Sequence, residues 1–248
     1  MTLALEVLAA ADWPDRVAAD LAGAIAARPD LRVCLPAGST PVPFYERLPA
    51  ALVAHGADAS RVTVVLLDEY LGLSPGHPAR CDATLRRLLL DRLVPPPAFI
   101  PFAVDDAAGV PEAACRAMDA AIEAAGGLDL AILGLGANGH VGMNEPGTPA
   151  GAPTRPVDLA PSTIEAARGY GADPPPTRGV TLGLGPLLAA REVWLLARGE
   201  SKAAILARAV DGPATECCPA SLLRIHPRLR VIADEPAVSD LTRIPRPS

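Results

Sequence analysis

Short apolar runs alternate with helix-spaced patterns from one end of the chain to the other. The runs LRVCL (31–35), VTVVLL (62–67), FIPFAV (99–104), LDLAILGLG (128–136), VTLGL (180–184), EVWLLA (192–197) and LRVIA (229–233) read as strands. Helices are predicted over 14–28, about 41–54, about 81–93, about 111–125 and 201–210, the first with Asp12 at its cap and Pro14 in its first turn. The strand segments are apolar throughout rather than alternating, which marks parallel strands covered on both faces. The expected fold class is α/β: a single doubly wound, mostly parallel sheet with helices on both faces, Rossmann-like, in one domain over 1–248. Residues 147–178 break the rhythm with Pro, Gly, Thr and Ala of little periodicity, ending in DPPPTRG. A connection of that length inside a compact domain predicts a lid or binding loop.

Composition narrows the function classes. A chain of 248 residues, half of them apolar and a fifth charged, can bury a sizeable core as a soluble globular protein. A net charge of −6 with no basic run argues against nucleic-acid binding, yet leaves room for a local anion site. Cys34, Cys81, Cys115, Cys217 and Cys218 are odd in number, show no CxxC spacing and have no His at ligand distance. Neither a disulfide framework nor a zinc site is expected, and a cytoplasmic setting fits. The start, MTLALEVLAAADWPDR, lacks the basic and long apolar regions of a signal peptide. No apolar stretch approaches the roughly 20 residues that span a bilayer.

Three unusual segments fall after strands, at the edge where open α/β sheets bind ligands. In PAGSTP, Gly38 allows close backbone approach while Ser39 and Thr40 offer hydroxyls beside a helix start. Taken on its own, that segment reads first as an ordinary helix N-cap with Pro at the first helical position. In LDEY, Asp68 and Glu69 follow an apolar strand, and extended geometry sends only one of them into a site. Such a carboxylate can act as a general base. GLGANGHVGMNEPG (134–147) packs five glycines around His140, Glu145, Asn138 and Asn144. Glycine at that density implies tight turns, and a His five residues from a Glu suits acid–base chemistry near neutral pH.

These motifs resemble the glucosamine-6-phosphate deaminases. The likeness rests on GST-P after the first strand, LDEY-x-GL after the second, G-x-G-x-NGH-x-G-x-NEPG after the fourth, GESK at 199–202 and ECCPASLL at 216–223. It runs in order from about residue 31 to 236. The related 6-phosphogluconolactonases share the GST-P and G-x-x-K elements but typically carry a DGH-T-A-S-x-F-P block where this chain has NGHVGMNEPG.

The resemblance implies an enzyme, formally hydrolase and isomerase, that converts glucosamine 6-phosphate to fructose 6-phosphate and ammonia without metal or cofactor. Asp68 would move a proton from carbon 2 to carbon 1. His140 would open the sugar ring, held by Asn138 and Glu145. Gly38, Ser39, Thr40, Arg168 and Lys202 would bind the phosphate. Arg168 shares its irregular segment with Arg155 and Arg178, where a solvated surface arginine is an equal alternative. The partner is then a small-molecule sugar phosphate, with no nucleic acid and no membrane, and the protein a monomer or homo-oligomer. Two departures, Ala79–Thr84 after His77-Pro78 and Met143 for a common Phe, bear on which amino sugar is taken. The alternatives are a 6-phosphogluconolactonase, a deaminase of another amino-sugar phosphate such as galactosamine 6-phosphate, and a sugar-phosphate sensor. Sensors of this type carry an N-terminal helix-turn-helix for which the first 30 residues leave no room.

Overall fold

The structure, a computed structural model, describes residues 4–104 and 110–242. The first helix, α1 (Trp13–Ala27), buries Trp13, Val17, Ala18, Leu21, Ala22 and Ile25, a single stripe at helical spacing. It packs on α2 (Val42–Ala54), with Trp13 meeting Phe44 edge to face at 6.4 Å. Asp12 stands at the N-cap of α1, but its side chain makes no capping hydrogen bond. The remaining helices are α3 (Cys81–Leu88), α4 (Pro111–Ala124), α5 (Pro161–Gly169), α6 (Leu184–Leu188), α7 (Ala203–Val210) and α8 (Pro219–Leu222).

The strands are β1 (Ala4–Leu8), β2 (Arg32–Leu35), β3 (Thr63–Leu66), β4 (Asp68–Tyr70), β5 (Ala98–Ile100), β6 (Leu130–Gly134), β7 (Arg155–Asp158), β8 (Arg178–Thr181), β9 (Glu192–Ala197) and β10 (Leu229–Asp234). Seven of them form one parallel sheet in the order β1-β10-β9-β6-β2-β3-β5. Nearly every residue of β6, β9 and β10 is buried, so both faces of the sheet's centre are covered. From β2 the chain steps outward through β3 and β5, then returns to add β6, β9 and β10 on the other side. The direction of winding therefore reverses between β2 and β6, and a crevice opens at their carboxyl ends.

The small strands depart from the expected pattern. Residues 180–184 were predicted within the main sheet, but β8 pairs antiparallel with β4 and β7 in a separate three-stranded sheet. The predicted run 99–104 is strand only at Ala98–Ile100, and β1 is an edge strand the apolar pattern did not announce. The segment 147–178 is not irregular throughout, since it contains β7 and α5. The predicted helix over 81–93 ends as α3 and a 3-10 turn at Leu90–Arg92, and the helix at 201–210 begins with a 3-10 turn at Glu200–Lys202.

Candidate active site

Four adjacent strands, β9, β6, β2 and β3, release their following loops at the same edge of the sheet. Those loops carry Arg198–Lys202, Leu135–His140, Pro36–Thr40 and Leu67–Asp68, and around them lies a cleft of about 250 Å³. Gly38, Ser39, Thr40, Asp68, His140 and Lys202 all line it.

At Leu67 the chain is still laddered to β2, through the N–H of Leu67 to the carbonyl of Leu35, and one residue later it enters the small sheet as β4. Alternation along β4 then separates its side chains. Asp68 and Tyr70 line the cleft, while Glu69 is fully buried on the opposite side. The Glu69 carboxylate accepts the backbone N–H groups of Tyr70, Cys81 and Asp82 at 2.8, 2.9 and 3.0 Å and lies 3.5 Å from Nε of Arg80. It caps the amino end of α3, a role no local sequence signal announces. Burial pushes the Asp68 carboxyl up to about 6, against a hydrogen bond from the Cys81 thiol and the charge of His140. A carboxylate tuned to that range is a serviceable base near neutral pH.

His140 hangs on a turn that only glycine permits. Gly139 has φ of +92° and Gly142 +59°, and a Cβ on Gly136 would stand 2.3 Å from the imidazole. From behind, the ECCPAS segment braces the loop: the N–H of Ala220 donates to the carbonyl of Gly139, and the N–H of Gly147 donates to that of Glu216.

A side-chain chain then orients the imidazole and selects its tautomer. Glu145 can only accept, so Asn138 presents Nδ2 to Glu145 Oε2 at 2.8 Å and Oδ1 to His140 Nδ1 at 2.8 Å. Nδ1 therefore carries a proton, and in that tautomer the lone pair sits on Nε2. Glu145 also accepts from Thr163 Oγ1 at 2.5 Å and from the N–H of Ala160 at 3.2 Å. Burial works to raise its carboxyl, but hydrogen bonds from His140, Thr163 and Asn138 together outweigh that and hold it at about 2.

The phosphate-binding expectations divide. The backbone and hydroxyl donors of Gly38, Ser39 and Thr40 make no hydrogen bonds with described residues, and they stand before the amino end of α2. Lys202 is half-buried without an ion-pair partner among the described residues, and burial lowers its ammonium's proton affinity. Its turn is fixed by Asp234 at the end of β10, which accepts the N–H of Gly199 at 2.9 Å. Arg168 is not brought to the cleft. Ser162, Thr163, Ala166 and Tyr170 line it from α5 and its C-cap, whereas Arg168 turns outward to Glu165 at 3.4 Å and is half-exposed. Arg155 is also occupied elsewhere, pinning Asn144 Oδ1 and Thr148 Oγ1. Among the described residues no three His, Cys, Asp or Glu side chains converge as a metal site requires.

The family model for glucosamine-6-phosphate isomerases/6-phosphogluconolactonase matches residues 6–231. The chain belongs to this family. Among curated relatives, glucosamine-6-phosphate deaminase of Streptomyces avermitilis is 39% identical over 229 residues, covering 91% of this chain and 87% of the relative. The deaminase of Pseudarthrobacter chlorophenolicus is 44% identical over 217 residues, covering 86% and 83%. A solved monomeric glucosamine-6-phosphate deaminase superposes with a TM-score of 0.88 at 29% identity, over 96% of this chain and all of that one. A 6-phosphogluconolactonase from Shewanella baltica gives 0.74 at 18% identity over 94% and 98%, a likeness of fold alone. The fold is therefore common to both branches.

Proposed function

We propose that the cleft deaminates glucosamine 6-phosphate, giving fructose 6-phosphate and ammonia. The carrying observation is a base at Asp68 in the same cleft as an imidazole whose Nδ1 proton is fixed by Asn138 and Glu145. Ring opening needs a proton moved between the ring oxygen and the carbon 1 hydroxyl, and Nε2 of His140 is free for that transfer. The aldehyde so formed acidifies carbon 2. Asp68 then takes that proton and returns it to carbon 1, passing through an enolamine to an imine that water hydrolyses. Positioned proton transfers of this kind typically contribute about 10²–10⁴-fold each. Gly38, Ser39, Thr40 and Lys202 hold the phosphate, so that binding at one end of the sugar orients carbons 1 and 2 at the other. Residues 147–178 act as a lid through α5, within one domain over 1–248.

The relatives at 39–44% identity are deaminases, while the lactonase structures match at 18–21%. That difference favours deamination over lactone hydrolysis. Five unpaired cysteines, four of them buried, suit a cytoplasmic enzyme. Ala79, Cys81, Thr84 and Met143, where the sequence departs from the deaminase pattern, all line the cleft, so they bear on the choice of sugar epimer.

Purified protein with glucosamine 6-phosphate and a chelator should release ammonia and form fructose 6-phosphate. Hydrolysis of 6-phosphogluconolactone without ammonia release would move it to the other branch, and activity restored only by a divalent ion would overturn the metal-free route. Galactosamine 6-phosphate in the same assay ranks the epimers.

A further inference from the structure

We propose that Tyr170 belongs to the phosphate subsite, donating its hydroxyl to an oxygen of the bound phosphate. The inference rests on the sugar-phosphate reading and adds a residue that the motifs did not single out. Tyr170 is the C-cap of α5 and lines the cleft. Its hydroxyl lies 3.9 Å from where a Cβ on Gly38 would stand, directly beside the loop whose N–H groups and hydroxyls are unengaged. Among the described residues that hydroxyl has no hydrogen-bond partner, and the side chain is 42% exposed although it faces a cleft. An aromatic ring held over an anion-binding loop with a free O–H is arranged to be covered by a ligand rather than by the protein.

Charge arithmetic points the same way. A phosphate monoester near neutral pH carries close to two negative charges, and Lys202 is the one Lys or Arg among the described residues lining the cleft. Arg168 does not line the cleft and its guanidinium lies 3.4 Å from Glu165; two residues beyond Ala166 on a helix is about 200° around the axis. Tyr170, four residues beyond Ala166, returns to the cleft side. The remaining donors are therefore neutral: backbone N–H groups, the hydroxyls of Ser39 and Thr40, and the phenol. Hydrogen bonds from O–H to a charged oxygen are short and roughly twice as strong as neutral ones.

Tyr170→Phe deletes only the hydroxyl and leaves a half-exposed ring that the fold does not depend on. It should raise KM for glucosamine 6-phosphate about tenfold or more, with kcat falling much less. Titration calorimetry with inorganic phosphate should show the same loss of affinity. If both KM and the phosphate Kd stay within about twofold of wild type, the hydroxyl does not touch phosphate. If KM rises while the phosphate Kd does not, the contact is with the sugar and the inference fails. A loss carried by Arg168→Ala and not by Tyr170→Phe would overturn it as well. Phosphate titration decides the matter even if the wild-type protein releases no ammonia, an outcome that would count against the deaminase reading alone.

Discussion

Asp68 is half-buried where the chain leaves the main sheet, and burial pushes its carboxyl up to about 6. The proposed chemistry requires it ionised, so kcat/KM should fall below about pH 6 rather than near the pKa of about 3.9 of an ordinary aspartate. The same shift carries a stability cost of determinate sign. The folded state binds this proton more tightly than the unfolded chain, so ionising Asp68 opposes folding. The penalty is absent below about pH 4, grows as pH rises toward 6, and is complete above it. Its upper bound is about 3 kcal/mol, reduced by the opening to solvent. Asp68→Asn should therefore abolish turnover yet raise Tm at pH 8, with little gain at pH 4 to 4.5. Thermal unfolding of both proteins at the two pH values tests this. An equal gain at both would show that the effect is not the carboxylate's charge.

Helix α5 is docked on the 134–147 loop through Glu145 Oε1, which accepts from Thr163 Oγ1 and from the N–H of Ala160 at the N-cap of α5. Hydrogen bonds to charged groups are worth about 1.5–3 kcal/mol, so Thr163→Val, nearly the same shape, should loosen this docking. Amides of α5 should exchange at least about tenfold faster, and kcat should fall because Glu145 no longer holds Asn138 and His140 as firmly. Unchanged exchange of α5 would mean that the contact does not dock the helix. This helix also shows where sequence reading stops. Strands such as β6 and β9 were legible because burial on both faces makes them apolar throughout. The helix α5 buries only Thr163 and Ala167, too little to print an apolar stripe. The strands β4 and β7 are three and four residues long and carry Asp, Glu, Arg and Pro, so nothing in their composition reads as strand. The site was legible where glycines and acid–base residues crowd one loop, as at 134–147. It was not legible for Glu69, whose partners lie 12 and 13 residues onward. Nor could Arg168 be placed before α5 fixed which of its residues line the cleft.

The whole sheet separates two kinds of electrostatics at its two ends. At the carboxyl edge the donors around Gly38 and Lys202 have no partners among the described residues, an arrangement that suits the proposed phosphate site at some cost to stability. At the amino edge Asp129 is 5% exposed and fully engaged. Arg32 forks onto it through Nε at 2.8 Å and Nη2 at 2.9 Å, the backbone N–H of Arg32 donates at 3.0 Å, and Arg28 and Arg191 complete the cluster. These residues begin β2, precede β6 and precede β9, so one carboxylate ties three neighbouring strands just where the winding reverses. Burial works to raise the Asp129 carboxyl, but the Arg32 hydrogen bonds and charge outweigh it and hold the group below the usual range. Its stabilisation is therefore complete above about pH 4 and is lost as pH falls through the depressed folded value. Asp129→Ala removes the acceptor that Arg28, Arg32 and Arg191 share, and because those arginines reach solvent the cost is that of charged hydrogen bonds, about 1.5–3 kcal/mol. For a domain of this size that corresponds to a fall in Tm of roughly 3–12 °C. The cleft lies at the other end of the strands, so kcat/KM measured well below the new Tm should stay within about twofold of wild type. Thermal unfolding at pH 7 paired with steady-state kinetics at 20 °C separates the two readouts. A parallel loss of kcat/KM in the folded mutant would show that the clamp at the amino edge also sets the geometry of the loops that carry Asp68 and His140.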